Sequence, residues 1–192
     1  PFGSGRPGWH IECSAMAAHY LGESFDIHGG GLDLRFPHHE NELAQSTAAG
    51  HSFANYWVHN GLVSVQGQKM SKSLGNSVLS SDLFDKVSDK AVRYYLASAH
   101  YRSMLDYQPE ATAEAAAALS RLHGFVARAT RELKESRFSE FAAVELPDEF
   151  TLQMNDDLNI PGALAVIHES ATAGNTDLDE QRLSQAHQRW SE

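Results

Sequence analysis

The chain of 192 residues has a formal net charge of −10, 42% hydrophobic residues and a mean hydropathy of −0.40. It contains no run of about 18 apolar residues, which excludes a membrane-spanning helix, and its acidic balance argues against a surface that binds polyanions everywhere. The single cysteine excludes an intramolecular disulfide and favours a reducing, cytoplasmic location. The first residues have no apolar signal-peptide core and no initiator methionine, so we expect the chain to begin within a longer protein.

Helices and strands are predicted to alternate over the first 107 residues. In the first predicted helix, small and apolar residues recur at three- to four-residue spacing up to Gly22, a natural stop. The elements predicted are a helix over 10–21, a strand over 25–28 that runs into the glycines 29–31, a helix over 38–49, a β-rich stretch over 56–65, a turn over 66–68, and helices at about 81–87 and 89–99. This alternation predicts an α/β domain over residues 1–107.

The composition changes at about residue 108, and the rest of the chain, 108–192, is predicted to be a helical bundle. Pro109 suits the first turn of a long Ala-rich helix that runs to Glu135. A linker is expected over 136–147, and helices at about 148–157, 161–173 and 178–190. Two sets of residues on the long helix are expected to differ in burial. The apolar stripe, expected to pack against helices near 151–171, is Leu119, Leu122, Val126, Ala129 and Leu133. The basic residues, expected on more exposed faces, are Arg121, Arg128, Arg131 and Lys134.

A soft metal site is suggested by Cys13, His38 and Glu42. His38 and Glu42 are four residues apart on a predicted helix, so their side chains share one face. Thiolate, imidazole and carboxylate together favour zinc over magnesium or calcium. Each residue alone has a more ordinary interpretation, because a lone cysteine is usually a small buried hydrophobe and a His–Glu pair is usually solvated. His39 is an alternative to His38, since adjacent helical side chains point about 100° apart and one of them would face the metal with Glu42.

A lysine loop, defined as residues 69–76, carries Lys69 and Lys72 with serines between them, and Gly67 and Gly75 flank the lysines. Such a loop can place ammonium groups on a polyphosphate and offset the charge that builds on leaving pyrophosphate. A short Lys/Ser/Gly stretch is more often an exposed loop. The run 29–31 of glycines is similarly open to two interpretations, a tight turn or a close approach of a ligand to the backbone.

Several of these segments together resemble cysteinyl-tRNA synthetase, a class I synthetase. The matching segments are residues 5–16, 25–31, 36–46, 69–76, 101–103 and 154–159, and 69–73 spell the KMSKS motif of that class. The resemblance implies the carboxyl-terminal part of a Rossmann-type catalytic domain over 1–107, followed by an all-α, tRNA-contacting bundle over 108–192. Neither the HIGH motif nor the cysteine that precedes it in this family is present, which fits an internal fragment.

The resemblance also implies roles for individual residues. The zinc ligands would be Cys13, His38 and Glu42, with the fourth ligand outside this chain. Lys69 and Lys72 would be catalytic, and Lys72 would contact ATP. The remaining implied positions are Gly29, Gly30 and Asp33 for ATP, and Trp9 and His28 for the substrate cysteine.

The function implied is activation of L-cysteine by ATP, with magnesium, to cysteinyl adenylate, followed by transfer to the 3′ end of tRNA(Cys), by a monomer without a membrane partner. Zinc would select the substrate thiolate over a serine hydroxyl. One alternative is the related cysteine ligase of mycothiol synthesis, whose acceptor is a glucosamine-inositol. The Glu42 ligand and the run 39–46 favour the synthetase over that ligase. A second alternative is a non-catalytic, zinc-stabilised RNA-binding module. The intact KMSKS motif argues against this alternative.

Overall fold

The structure is a computed structural model that describes residues 3–135 and 146–191, so the predicted linker over 136–147 lies almost wholly outside the described residues. The chain divides into two compact units. The first comprises the residues up to Leu62 together with Tyr101–Met104, and the second comprises Val63–His100 together with the residues from Leu105 onward. Among the described residues, no helix is both long enough and apolar enough to cross a bilayer.

The first unit is built on two parallel strands and two helices. In chain order these are α1 (His10–Leu21), β1 (Ser24–Gly31), α2 (Glu40–Ala48) and β2 (Phe53–Asn60). Two short helical turns, Leu32–Leu34 and Arg35–His39, connect β1 to α2. Helix α1 matches its predicted bounds and is followed by Gly22, whose φ of 91° is unfavourable for a side chain. Because β1 and β2 are parallel, their carboxyl ends meet at one edge, where Gly30 pairs with His59.

The three consecutive glycines continue β1 and pair with Val58, His59 and Asn60 of β2, so the interpretation of this run as a tight turn is wrong. A Cβ on Gly30 would lie 3.0 Å from both His39 Cε1 and Leu34 Cδ1. Glycine therefore lets the segment after β1 pack directly on the strand, which brings His39 against the sheet.

The second unit combines a small sheet with six helices among its described residues. Strand β3 (Val63–Val65) pairs antiparallel with β4 (Gln68–Lys69) and parallel with β5 (Leu105–Tyr107). The helices are α3 (Ser80–Phe84), α4 (Asp89–Ala97), α5 (Pro109–Glu135), α6 (Asp148–Asn155), α7 (Ile160–Asp179) and α8 (Leu183–Ser191). The bounds of α5 agree with the sequence prediction.

Helix α7 extends six residues beyond the predicted end at 173, and α8 begins at Leu183 instead of at about 178. The start of α7 is capped by the Asn159 side chain, which accepts a hydrogen bond from Gly162 N at 3.1 Å. Gly174 lies within α7, where it packs against α5. A Cβ at that position would lie 2.5 Å from Phe125 Cζ, so glycine permits close contact between α5 and α7.

The larger core of this unit lies between α5, the carboxyl-terminal half of α7, and α8. Its buried members are Phe125, Ala129, Leu133, Ala171, Leu178 and Ala186, and Leu122, Leu183 and Trp190 pack against them. Two details of the predicted stripe are wrong. Val126 is 49% exposed, and Phe125 instead completes the buried face, in a core shared with Ala171, Leu178 and Ala186.

Replacing Leu133 by alanine is expected to lower the free energy of unfolding by about 2–5 kcal/mol, because the fully buried side chain would leave a cavity. The matched change Val126→Ala on the same helix should cost well under about 1 kcal/mol, since that side chain is half exposed. Urea unfolding of both variants measures the difference, and equal losses would contradict the assignment of the core.

Candidate metal centre and phosphate-binding loop

Cys13, His38 and Glu42 converge in the first unit, with their candidate ligand atoms all within 4.8 Å of one another. Cys13 comes from α1 and Glu42 from the first turn of α2, while His38 lies in the helical turn just before α2. Glu42 is 1% exposed and His38 is 5% exposed. The three residues singled out in the sequence as zinc ligands therefore lie together in a largely buried site.

A second group shares the same carboxylate. His28, from β1, and His39 place candidate ligand atoms within 4.8 Å of each other and of Glu42. His38 and His39 fall in different groups, so the expectation that only one of these adjacent histidines faces a metal together with Glu42 stays a prediction. The two oxygens of the carboxylate serve different histidines, because Oε1 lies 2.7 Å from His38 Nε2 and Oε2 lies 3.0 Å from His28 Nε2.

The buried polar atoms at this point lack hydrogen bonds of acceptable geometry. Among the described residues, neither Glu42 oxygen nor His28 Nε2 has such a partner, despite the short distances between them. Burial raises the pKa of Glu42 from 4.5 to about 7 and lowers the pKa of His28 and of His38. Burial, followed by the charges of Glu42 and Glu12, raises the pKa of the Cys13 thiol. Two carboxylate oxygens and an imidazole nitrogen thus face one another here without a hydrogen bond.

Outer side chains orient His38. The His10 and His38 Nδ1 atoms are 3.1 Å apart, so one donates to the other. If His38 Nδ1 is the donor, its Nε2 presents a lone pair toward Glu42, as a metal ligand requires. Trp9 Nε1 donates a hydrogen bond to His38 Nε2 at 2.9 Å, and ligation of a metal through that nitrogen would displace this bond. Trp9, predicted to line the cysteine pocket, therefore borders the site directly.

His59 is a member of this cluster that the sequence analysis missed. Its Nε2 lies 2.9 Å from His39 Nδ1, at the end of β2. Burial, followed by the charges of His28, His59 and His38, lowers the pKa of His39 to about 4. The sequence signal for His59 was its place in the predicted β-rich stretch over 56–65. Only the pairing of β1 with β2 shows that this residue lies beside the glycine run.

The donor set fits a zinc ion. Thiolate, imidazole and carboxylate are its usual protein ligands, and a divalent cation would satisfy the orphaned oxygens of Glu42. A bound cation would lower the pKa of Cys13 and of Glu42, because it favours their deprotonated forms. Three protein ligands leave one position of a tetrahedron for another donor.

The lysine loop belongs to the second unit and follows β4, which ends at Lys69. The Asn76 side chain closes this loop, because its Oδ1 accepts from Ser71 N at 2.8 Å and its Nδ2 donates to the carbonyl of Lys69 at 3.3 Å. The backbone at Lys72 begins a helical turn that ends at Leu74. The loop is therefore internally bonded and held in a defined shape.

Gly29, Gly30 and Asp33, which the resemblance assigned to ATP, lie at the end of β1 and in the turn after it. Packing accounts for the two glycines, since a Cβ on Gly29 would lie 3.0 Å from the Val58 carbonyl oxygen and one on Gly30 would meet His39. Their contact with ATP stays a prediction, as do the roles assigned to Lys69 and Lys72.

Comparison with known proteins places these elements in a family. Residues 1–117 match the model described as tRNA synthetases class I (C) catalytic domain, and residues 149–191 match the DALR domain. Cysteine--tRNA ligase of Leifsonia xyli is 61% identical over 186 residues, covering 97% of this chain and 39% of the relative. Cysteine--tRNA ligase of Arthrobacter sp. is 59% identical over 184 residues, covering 93% and 38%. The chain thus spans somewhat over a third of the length of these relatives.

Solved structures support the fold. A leucyl-tRNA synthetase from Agrobacterium radiobacter, in a ternary complex with tRNA and LeuAMS, matches with a TM-score of 0.68 at 17% identity, covering 86% of this chain and 24% of that one. Methionyl-tRNA synthetase of Mycobacterium tuberculosis, in complex with methionyl-adenylate, matches with a TM-score of 0.62 at 20% identity, covering 86% and 38%. The predicted class I catalytic fold followed by a helical domain is confirmed, and the chain belongs to the cysteinyl-tRNA synthetase family of class I synthetases.

Proposed function

We propose that a protein containing this chain at the length of its relatives, called the full-length protein below, activates L-cysteine with ATP and transfers it to tRNA(Cys). The observation that carries this proposal is the convergence of Cys13 and His38 on the orphaned carboxylate of Glu42, in a chain whose relatives are cysteine--tRNA ligases. ATP would enter as its magnesium complex. The full-length protein is proposed to act as a monomer.

Cys13, His38 and Glu42 would hold zinc, and a cysteine outside this chain would complete the ligand set. Zinc, when bound, supplies a soft Lewis acid that prefers a thiolate to a hydroxyl, which would separate cysteine from serine. Glu42 contributes the anionic oxygens, and its burial excludes competing water. The Nδ1–Nδ1 hydrogen bond with His10 orients His38, and the exposed indole of Trp9 forms a wall that the substrate side chain would meet.

The chemical step requires placement and charge stabilisation. In the first step the cysteine carboxylate attacks the α-phosphorus of ATP and pyrophosphate leaves; in the second the terminal ribose hydroxyl of the tRNA takes the cysteinyl group and AMP leaves. No side-chain general base is assigned to either step. Lys69 and Lys72 are proposed to offset the charge on the pyrophosphate, while Gly29, Gly30 and Asp33 are proposed to border the nucleotide.

The helical half is proposed to contact tRNA. On α5, Arg121 and Lys134 are exposed and the Arg131 side chain is 66% exposed, as expected for basic residues available to a phosphate backbone. Arg128 is not comparably available. Its Nε lies 2.9 Å from Glu132 Oε1 and its Nη2 lies 2.8 Å from Asp179 Oδ1, so it ties α5 to α7.

Replacing Cys13 by serine or His38 by alanine in the full-length protein is expected to lower zinc per molecule and to raise the KM for cysteine by about tenfold or more, because the thiolate loses its anchor. His19→Ala, on the exposed side of α1, is the control and should leave both values unchanged. Metal analysis and cysteine-dependent ATP–pyrophosphate exchange measure the outcome. Unchanged zinc stoichiometry together with unchanged rejection of serine would contradict the proposal.

A further inference from the structure

A carboxylate outside the metal centre collects three hydrogen bonds at the base of the lysine loop. Asp106 Oδ1 accepts from Ser64 Oγ at 2.7 Å and from Gly67 N at 2.8 Å, while Oδ2 accepts from Gln108 Nε2 at 2.9 Å. Asp106 lies in β5 directly beside Ser64 of β3 in the parallel register. One side chain thus joins β3, the turn that follows it, and β5.

That turn connects β3 to β4 and has a conformation that needs support. Gln66 and Gly67 have φ values of 54° and 71°, both in the left-handed region, and a glutamine pays a steric cost there. Strand β4 is only two residues long, and its register rests on Ser64 with Lys69 and Val65 with Gln68. So short a hairpin is marginal alone, and the Gly67 N–H bond to Asp106 fixes it from the side.

The second residue of β4 is Lys69, where the lysine loop begins. Asn76 returns to the Lys69 carbonyl and to Ser71 N, so the loop is attached to β4 as one bonded piece. The bonds from Gly67 N and Ser64 lower the pKa of Asp106, in that order of size, so the carboxylate is ionised and accepts strongly. A change in the hairpin would therefore be transmitted to the direction in which the loop leaves the sheet.

We propose that Asp106 is a positioning residue for adenylate formation, because its bonds to Ser64 and Gly67 hold the β3–β4 hairpin that presents Lys69 and the lysine loop. The inference rests on the proposed function for its chemical readout. Asp106 touches no reacting atom and acts through the backbone of the loop.

The first test is independent of activity and uses hydrogen exchange of the full-length protein. In Asp106→Ala the backbone amides of residues 67–71 should exchange about tenfold faster, because the turn loses its anchor. Asp106→Asn keeps an oxygen that accepts from Ser64 and Gly67 and should exchange nearly as slowly as the wild type. Asp85→Ala, an exposed aspartate at the end of α3, removes the same charge and should change nothing. Unaltered exchange at 67–71 in Asp106→Ala would overturn the proposal.

The second test is cysteine-dependent ATP–pyrophosphate exchange by the same variants, with rates normalised to folded protein. Asp106→Ala should lower kcat about tenfold while the KM for cysteine and the zinc content stay unchanged, and Asp106→Asn should restore most of the rate. A normal kcat in Asp106→Ala, or a loss that follows only the folded fraction, would overturn the positioning role. If the wild type itself catalyses no exchange, the proposed function fails, and the hydrogen-exchange result alone decides whether Asp106 holds the hairpin.

Discussion

Lys72→Ala in the full-length protein is expected to slow cysteinyl adenylate formation by about 10²-fold or more, the scale seen when one preorganised charge-stabilising group is removed. The loop around this position is closed by Asn76 and follows a strand, so the backbone has a fixed place from which a lysine could meet a leaving pyrophosphate. The KM for cysteine should change little, because the proposed zinc ligands Cys13, His38 and Glu42 are residues of the other unit.

The matched control for Lys72 is Lys90→Ala, which removes an exposed lysine from the first turn of α4 in the same unit. Single-turnover formation of the adenylate and steady-state pyrophosphate exchange measure both variants. The control should behave as the wild type. A Lys72→Ala protein with normal exchange would show that this lysine is an ordinary surface residue and would leave the chemistry to other groups.

The second large effect is expected at Glu42, and its sign should depend on zinc. In metal-free full-length protein, Glu42→Gln should raise stability above about pH 7 by up to about 3 kcal/mol, since one pKa unit corresponds to about 1.4 kcal/mol. The folded-state pKa is raised from 4.5 to about 7, so folding favours the protonated carboxyl. The free-energy cost of ionising the buried carboxyl is absent below pH 4.5, grows as the pH rises to about 7, and is constant above that value. Replacement by glutamine removes this cost, because an amide does not ionise.

With zinc added, the order of the two proteins should reverse. The wild type gains binding energy from its carboxylate, whereas Glu42→Gln should bind the metal at least about 10–100-fold more weakly. Urea unfolding at about pH 5 and about pH 8, with and without zinc, measures the four values. The lowered pKa values of His28, His38 and His39 make stability fall on acidification, so the values at about pH 8, where these histidines are neutral in the folded and the unfolded protein, report on Glu42. A variant that stays more stable than the wild type after zinc is added would contradict the metal assignment.

Local sequence patterns determined the helices whose ends have strong chemical signals. Helix α1 stops at Gly22, and α5 begins at Pro109, and both have the predicted bounds because glycine and proline act through the backbone within a few residues. Helical periodicity also placed His38 and Glu42 on one face, but the choice of His38 over His39 came with the resemblance. Cys13 was singled out as a soft ligand type, and its place beside them came with the resemblance of whole segments to a synthetase family.

Tertiary structure decided which side chains these elements bring together. The sequence does not contain the parallel pairing of β1 with β2 as a local signal, yet that pairing places His59 beside His39 and explains why Gly30 must lack a side chain. Asp106 likewise became a partner of the hairpin 39 residues before it in sequence only when β5 paired with β3. Residues of α7 and α8 cover Phe125 of α5, whereas Val126, the next residue, is left half exposed. Periodicity fixes the faces of a helix, but which face is buried depends on distant residues that fold against it.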